Sequence, residues 1–390
     1  MTDDKQVRVG IIGVGNIGSA HAGRIYGGDI AGMRLCALCD TNAAVRESLA
    51  EKYPNVAIFE SSDALIDSGT VDAVIVATPH YYHPPIAIRA FESGLHVLTE
   101  KPAGVDVCSA KAMCEAAIKS GKIFGVMFNQ RANKLFSQAK WIVSSGELGE
   151  LKRVVWIITN WYRKQCYYDS GSWRATWAGE GGGVLLNQAP HNLDLWQWIC
   201  GMPESVRAEC SVAKYHDIEV EDEACIFAEY KNGATAVFIT STGDYPGTNR
   251  LEITGTLGKI VLEGGRLIHH KLTLDEREYR LSADTVKNPV QIYETLDEKY
   301  QGHSVILENF ASSILYGTPL LAPGEDALCE LTISNAAYLS AWKNEKISLP
   351  FDEDEFLSEL EKRKSASSFR SADTEHKLSE KYNDRWNTNW

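Results

Sequence analysis

Residues Val7 to Gly18 read VRVGIIGVGNIG, an apolar run that breaks into glycines at positions 13, 15 and 18. An apolar strand turning through this spacing into a helix is a dinucleotide-binding fingerprint. Gly13 permits the tight turn, Gly15 lets backbone approach a pyrophosphate, and Gly18 lets the helix pack on the sheet. Asn16 and Ile17 lie at the start of that helix, where unpaired N–H groups and the positive end of the macrodipole favour phosphate. Met33 to Leu38 reads as a second strand. Beyond it stands Asp40, the acidic residue expected about 20 residues on to accept hydrogen bonds from an adenosine ribose, with Thr41 beside it. A carboxylate there repels a 2′-phosphate, which favours NAD; Arg46 is close enough to keep NADP as the lesser alternative.

Outward from this stretch, strand and helix alternate. Ala73 to Ala77 is wholly apolar, as a parallel strand covered on both faces should be. Further strands are expected at 96–99 and 123–128, with helices at 86–93 and 106–119 between and around them. Thr78-Pro79 and Glu100-Lys101-Pro102 fall at the carboxyl ends of strands, where ligands sit in doubly wound sheets. The N-terminal 1–128 is therefore read as a Rossmann domain with a doubly wound parallel sheet. From 151 the chain is strand-rich (151–162, 205–214, 223–230, 234–242, 249–255, 258–263 and 266–274), with hairpin signals at Asn232-Gly233 and Gly264-Gly265. A helical insertion spans Gly181 to Ile199. Residues 129–350 are expected to form an α+β domain with an open, mostly antiparallel sheet, its helices near 303–316 and 324–343 being candidates to pack back on the first domain. Residues 351–390 read as a charged arm. Its Trp386 and Trp390 are expected to dock on a neighbouring subunit.

Composition narrows the function. A chain of 390 residues suffices for two full cores, and a net charge of −13 argues against nucleic acid or an anionic membrane as partner. MTDDKQ at the start lacks the basic flank and apolar core of a signal peptide, and no apolar run reaches membrane-spanning length, so a cytoplasmic protein is expected. Nine cysteines at no framework spacing fit reduced thiols. The ten histidines show no ligand spacing, and no metal is expected.

With Ala77-Thr78-Pro79 and His83, Gly94-Leu95-His96-Val97 leading into Glu100-Lys101-Pro102, Trp173-Arg174, and Gly181-Gly182-Gly183 followed by His191 and Asp194, the chain resembles the Gfo/Idh/MocA family of nicotinamide-dependent sugar and cyclitol oxidoreductases. The likeness runs from Val7 to about Pro350. It implies an active site in the crevice between the two domains, cofactor contacts from Thr78, Pro79, His83, Glu100, Lys101 and Asn129, and a homodimer or homotetramer associating through the open sheet face.

Oxidising a secondary alcohol needs a base for the hydroxyl proton, a donor or cation for the developing alkoxide, and a carbon held against the nicotinamide. Lys101 is placed to supply the cation, and His191, nearest neutrality in titration, to take the proton. On one helix Asn187, His191 and Asp194 would share a face, though Pro190 works against a continuous helix. Relatives resembling inositol dehydrogenase commonly carry Asp at the position of Asn187. Asn hydrogen-bonds substrate hydroxyls but carries no charge, which makes myo-inositol a less secure substrate. Between Asn160 and Trp177, the flat rings and fixed donors of Tyr162, Arg163, Trp173 and Arg174 suit a sugar ring, with about half of the aromatics there expected in the core. A small-molecule sugar or cyclitol is the expected substrate. Two alternatives stand beside the dehydrogenase: a glycosidase or epimerase that oxidises and re-reduces its substrate on tightly held NAD, and a non-catalytic sugar sensor, against which the presence of both Lys101 and His191 argues.

Overall fold

The computed structural model describes residues 5–283, 285, 287–298 and 302–368. The chain divides into two compact units, residues 1–132 with 301–331 and residues 133–300 with 332–390.

In the first unit, six parallel strands, β1 (Val7–Ile12), β2 (Met33–Cys39), β3 (Ala57–Phe59), β4 (Ala73–Val76), β5 (His96–Thr99) and β6 (Phe124–Val126), lie in the order β3-β2-β1-β4-β5-β6. That order reverses direction at β1, so the carboxyl ends of β1 and β4 frame the crevice where a doubly wound sheet takes its ligand. Helices cover both faces, which is why all four residues of β4 are apolar and fully buried. The helices Asn16–Tyr26, His83–Glu92 and Val107–Ser120 each follow a strand. Asp106 caps the last by accepting from Ser109 N–H at 2.8 Å, and Gly121, left-handed at φ 65°, ends it. The helix Gly302–Tyr316, far away in sequence, belongs to this unit and packs on β1 and on the turn Asn129–Ala132.

The second unit holds nine strands: β7 (Leu151–Ile158), β8 (Ser205–Val212), β9 (Glu221–Glu229), β10 (Thr235–Ser241), β11 (Asn249–Gly255), β12 (Gly258–Glu263), β13 (Arg266–Leu272), β14 (Val290–Leu296) and β15 (Ile347–Ser348). Their order is β14-β13-β12-β11-β7-β10-β9-β8-β15. All pairs are antiparallel except β7 with β10. The sheet is therefore mixed. Along β9 buried and more exposed residues alternate, the mark of a sheet covered on one face only. On the covered face Trp156 and Phe238, each 1% exposed, meet edge to face, and Trp196 stacks on Phe238 at 5.8 Å. Trp196 also donates its indole N–H to Tyr230 Oη at 2.7 Å, fixing the helix Pro190–Cys200 against the sheet.

The structure corrects one expectation and adds two elements. The stretch 181–199 is not one helix: Val184–Asn187 forms a single turn, and Pro190, which has no N–H to donate, opens a separate helix to Cys200. β14 pairs with β13 although its sequence, mixed and exposed, shows no strand alternation that the core enforces. The arm also starts as a helix, Glu353–Ser365, capped by Asp352 and held by buried Phe356 and Leu360. Charge on its solvent face hides those two anchors. Trp386 and Trp390 lie outside the described residues. Among the described residues no helix is long and apolar enough to cross a membrane.

Candidate active site

Each unit carries part of the expected site. In the first, Gly13 has φ 88°, and a Cβ there would sit 2.8 Å from the Ala77 carbonyl; a Cβ on Gly18 would sit 2.0 Å from the Gly13 carbonyl oxygen. Both positions therefore demand glycine. A Cβ on Gly15 would meet nothing within 4 Å, so there the glycine keeps space clear above the helix start. Thr78 Oγ1, Thr99 Oγ1, Asn129 Oδ1 and His21 Nδ1 are buried with no hydrogen-bond partner among the described residues. Clear space at Gly15 and orphaned polar atoms in the same unit fit a dinucleotide bound along this edge.

Asp40 makes contacts that its position in the sequence did not reveal. Its carboxylate accepts from Val14 N–H at 3.0 Å and Asn42 N–H at 2.9 Å, tying the glycine turn to the end of β2. Lone pairs remain on both oxygens for a ribose. Arg46, the residue that kept NADP in play, donates to the carbonyls of Asp40 and Thr41 at 3.0 and 2.9 Å. His83, fully enclosed, places Nδ1 2.8 Å from the Pro102 carbonyl and Nε2 2.7 Å from that of Thr78. Its ring joins the loops after β4 and β5, and burial lowers its pKa.

Lys101 follows β5, half-buried, and its N–H donates to Glu100 at 3.3 Å. Glu100 is 7% exposed, and His21 Nε2 lies 2.7 Å from it. Burial alone would push the Glu100 carboxyl up, but the His21 hydrogen bond and the charge of neighbouring histidines and Lys101 hold it down to about 2. It is ionised throughout the physiological range. His303 lies on the same cluster, its ring 5.7 Å from His21 and its Nδ1 accepting from Asn129 Nδ2 at 3.3 Å; burial drops its pKa to about 4. Neither His21 nor His303 was legible as a site residue. A histidine one turn after the glycines carries no signal by itself, and His303 reaches Asn129 across 174 residues.

In the second unit the triple glycine is explained by what lies against it. A Cβ on Gly182 would fall 2.3 Å from Tyr338 Oη, and one on Gly183 1.9 Å from the Glu221 carbonyl oxygen. Glu221, 1% exposed, accepts from Leu185 N–H at 2.9 Å, Gly183 N–H at 3.0 Å and Tyr338 Oη at 2.7 Å. Desolvation outweighs these donors and raises its pKa to about 7. Glu180, 2% exposed, accepts from Ala175 N–H at 2.6 Å and from the side-chain amide of Asn187. So a carboxylate does stand at Asn187, from seven residues earlier in the chain. Glu180 could have been suspected from its place before three glycines; Glu221, on a strand 38 residues past Gly183, could not.

His191 is 8% exposed at the start of the helix Pro190–Cys200. Asp194 is fully buried and accepts from Gln197 Nε2 at 3.1 Å. Both arginines of the aromatic stretch make contacts within their own loop. Arg163 donates to the carbonyls of Trp161 and Tyr162 at 3.1 and 3.0 Å, and Arg174 donates to Tyr167 Oη at 2.9 Å while its guanidinium stacks on Trp173 at 4.5 Å. They brace the loop, because planar guanidinium groups satisfy carbonyls and cover rings at once. Tyr167, Tyr168 and Trp177 are core, whereas Tyr162 is 40% exposed and Trp173 half-buried.

Comparison with known proteins agrees with this architecture. Residues 7–128 match the oxidoreductase family with an NAD-binding Rossmann fold, and residues 136–261 match the GFO/IDH/MocA C-terminal domain. The chain is 27% identical over 348 residues to a myo-inositol 2-dehydrogenase of Thermotoga maritima, covering 88% of this chain and 98% of that protein. It is 30% identical over 198 residues to a D-glucoside 3-dehydrogenase of Escherichia coli, covering 50% of this chain and 55% of that one. Among solved structures, the WlbA dehydrogenase of Bordetella pertussis in complex with NADH and UDP-GlcNAcA superimposes with a TM-score of 0.75 at 27% identity, covering 89% of this chain and all of that one. The glycine turn that requires its glycines, the Glu100-Lys101-Pro102 strand end and the mixed open sheet, together with these matches, make this chain a member of the Gfo/Idh/MocA oxidoreductase family.

Proposed function

We propose that this protein is an NAD-dependent dehydrogenase that moves a hydride between a secondary hydroxyl of a sugar, glycoside or cyclitol and the nicotinamide, with Lys101 and His191 handling the hydroxyl proton. The observation that carries this reading is the common carboxyl edge of β1, β4 and β5, along which the Gly13 turn, Thr78-Pro79 and Glu100-Lys101 follow their strands. The names of the inositol and glucoside relatives support the substrate class.

The bound nicotinamide supplies the hydride acceptor or donor. Lys101 places a cation beside the developing alkoxide, its main chain held by ionised Glu100. His191 takes the proton. Asn187 turns its amide nitrogen to Glu180 and is the residue we assign to hydrogen-bonding a substrate hydroxyl. Tyr162 and Trp173 offer flat surfaces to the ring and Arg163 and Arg174 hold them in place, while Asp194, on the helix that carries His191, is assigned to substrate binding. Asp40 on the ribose, with Arg46 engaged on backbone carbonyls, favours NAD over NADP. Assembly as a homodimer or homotetramer through the uncovered face of the sheet, which presents Phe227 at 43% exposure, is the quaternary arrangement we propose.

The test is nicotinamide absorbance with NAD across glucose, glucosides, anhydrosugars and inositols. NADH accumulating with one of them establishes the dehydrogenase and its substrate. Silence across the panel, with NAD recovered from the denatured protein, overturns it in favour of an internal oxidation and re-reduction cycle.

A further inference from the structure

The segment after Pro350 is fastened to the loop that carries Trp173 and Arg174. Its helix Glu353–Ser365 stacks Phe356 on Trp342 at 5.4 Å and lays the Arg363 guanidinium over the same ring at 3.8 Å, while Glu355 pairs with Lys343 at 2.6 Å. Trp342 in turn meets Trp177 at 5.6 Å, edge to face, and stacks on Tyr338 at 5.6 Å. An aromatic stack thus leads from the C-terminal helix into the loop.

Beyond the helix the chain doubles as a latch. Ser368 donates its N–H and Oγ to Glu219 at 2.7 and 2.8 Å, and Ser367 donates its hydroxyl to the same carboxylate. Ser367 Oγ also accepts from Ala178 N–H at 3.3 Å. Glu219 donates its own N–H to the Ala175 carbonyl at 3.1 Å, so one residue grips both the strap and the loop. Burial raises the Glu219 carboxyl, yet the serine hydrogen bonds hold it below its ordinary value. Ala175 lies between these contacts. It is fully buried at φ 55°, a left-handed conformation that an alanine keeps only where its surroundings enforce it. Glu180 holds the Ala175 N–H from inside, and Glu219 with the two serines holds the loop from outside.

We infer that Glu219, Ser367 and Ser368 are positioning residues for the substrate loop 173–180, so that the C-terminal strap is a working part of the substrate site that sets affinity and selectivity for the sugar ring. The part of this inference that concerns substrate rests on the function proposed above.

The test uses the full chain with Glu219→Ala and, separately, Phe356→Ala, and Glu219→Gln as the conservative variant that still accepts hydrogen bonds. Hydrogen exchange of the peptide covering 171–182, read without ligand, should run about tenfold faster in both alanine variants and stay near wild type in the glutamine variant. KM for the sugar should rise about five- to tenfold with kcat held within about twofold, and NAD affinity should not change. Unchanged exchange in both alanine variants overturns the latch. Faster exchange with unchanged KM and unchanged substrate preference overturns its role in the substrate site. If no sugar or cyclitol is turned over by the wild type, the function reading fails while exchange still decides the latch.

Discussion

Glu221→Gln should change how the stability of the second unit depends on pH. The Glu221 carboxyl titrates at about 7 in the folded chain against an ordinary 4.5, because burial outweighs the three groups that donate to it. A folded pKa above the unfolded one means that the native state binds the extra proton. The stabilisation this confers is fully present below pH 4.5 and is lost as pH rises through 7. A shift of this size corresponds to about 3 kcal/mol, of which about 2.5 kcal/mol falls between about pH 5 and pH 8. Glutamine keeps a carbonyl oxygen to accept from Leu185, Gly183 and Tyr338, yet does not titrate. The variant should therefore gain on wild type by about 2.5 kcal/mol between those two pH values. Urea unfolding followed by tryptophan fluorescence measures it in the right place, since all ten tryptophans lie in 133–300 or 332–390. Parallel stability curves for the two proteins would refute the reasoning, showing that Glu221 is ionised well below neutrality.

Asn187→Asp places a second carboxylate against buried Glu180 and should cost roughly 2 to 4 kcal/mol at neutral pH by chemical unfolding; adding Glu180→Gln should restore most of it. His191→Ala should reduce turnover about 10²- to 10⁴-fold, and wild-type turnover in that variant removes His191 from the proton transfer. Gly15→Ala should leave the melting temperature near wild type while weakening NAD binding by calorimetry, because its Cβ enters open space that the cofactor needs. Gly18→Ala, driven 2.0 Å from the Gly13 carbonyl oxygen, should instead unfold or lower the melting temperature, and equal stability of the two variants would count against the turn geometry.

What the sequence determined by itself is what short spacings encode. The glycine turn, the apolar β4, Asp40 after β2 and the Glu100-Lys101-Pro102 strand end are local patterns, each set by backbone geometry or by burial on two faces, and each stands where it was read. The change to a strand-rich second half was equally visible, because alternation along strands such as β9 follows from covering one face. The tertiary structure decided whatever depends on partners distant in sequence. It set Arg163 and Arg174 against carbonyls and rings of their own loop and buried Asp194 beside Gln197. It supplied Glu180 and Glu221 as the carboxylates around Asn187 and the triple glycine, and it gave Glu100 its two histidines. A carboxylate in a sequence looks the same whether it will face water or be buried among N–H groups, and only the fold fixes which. The same holds for the C-terminal arm, where two apolar residues among many charges suffice to seat a helix once Trp342 offers them a surface.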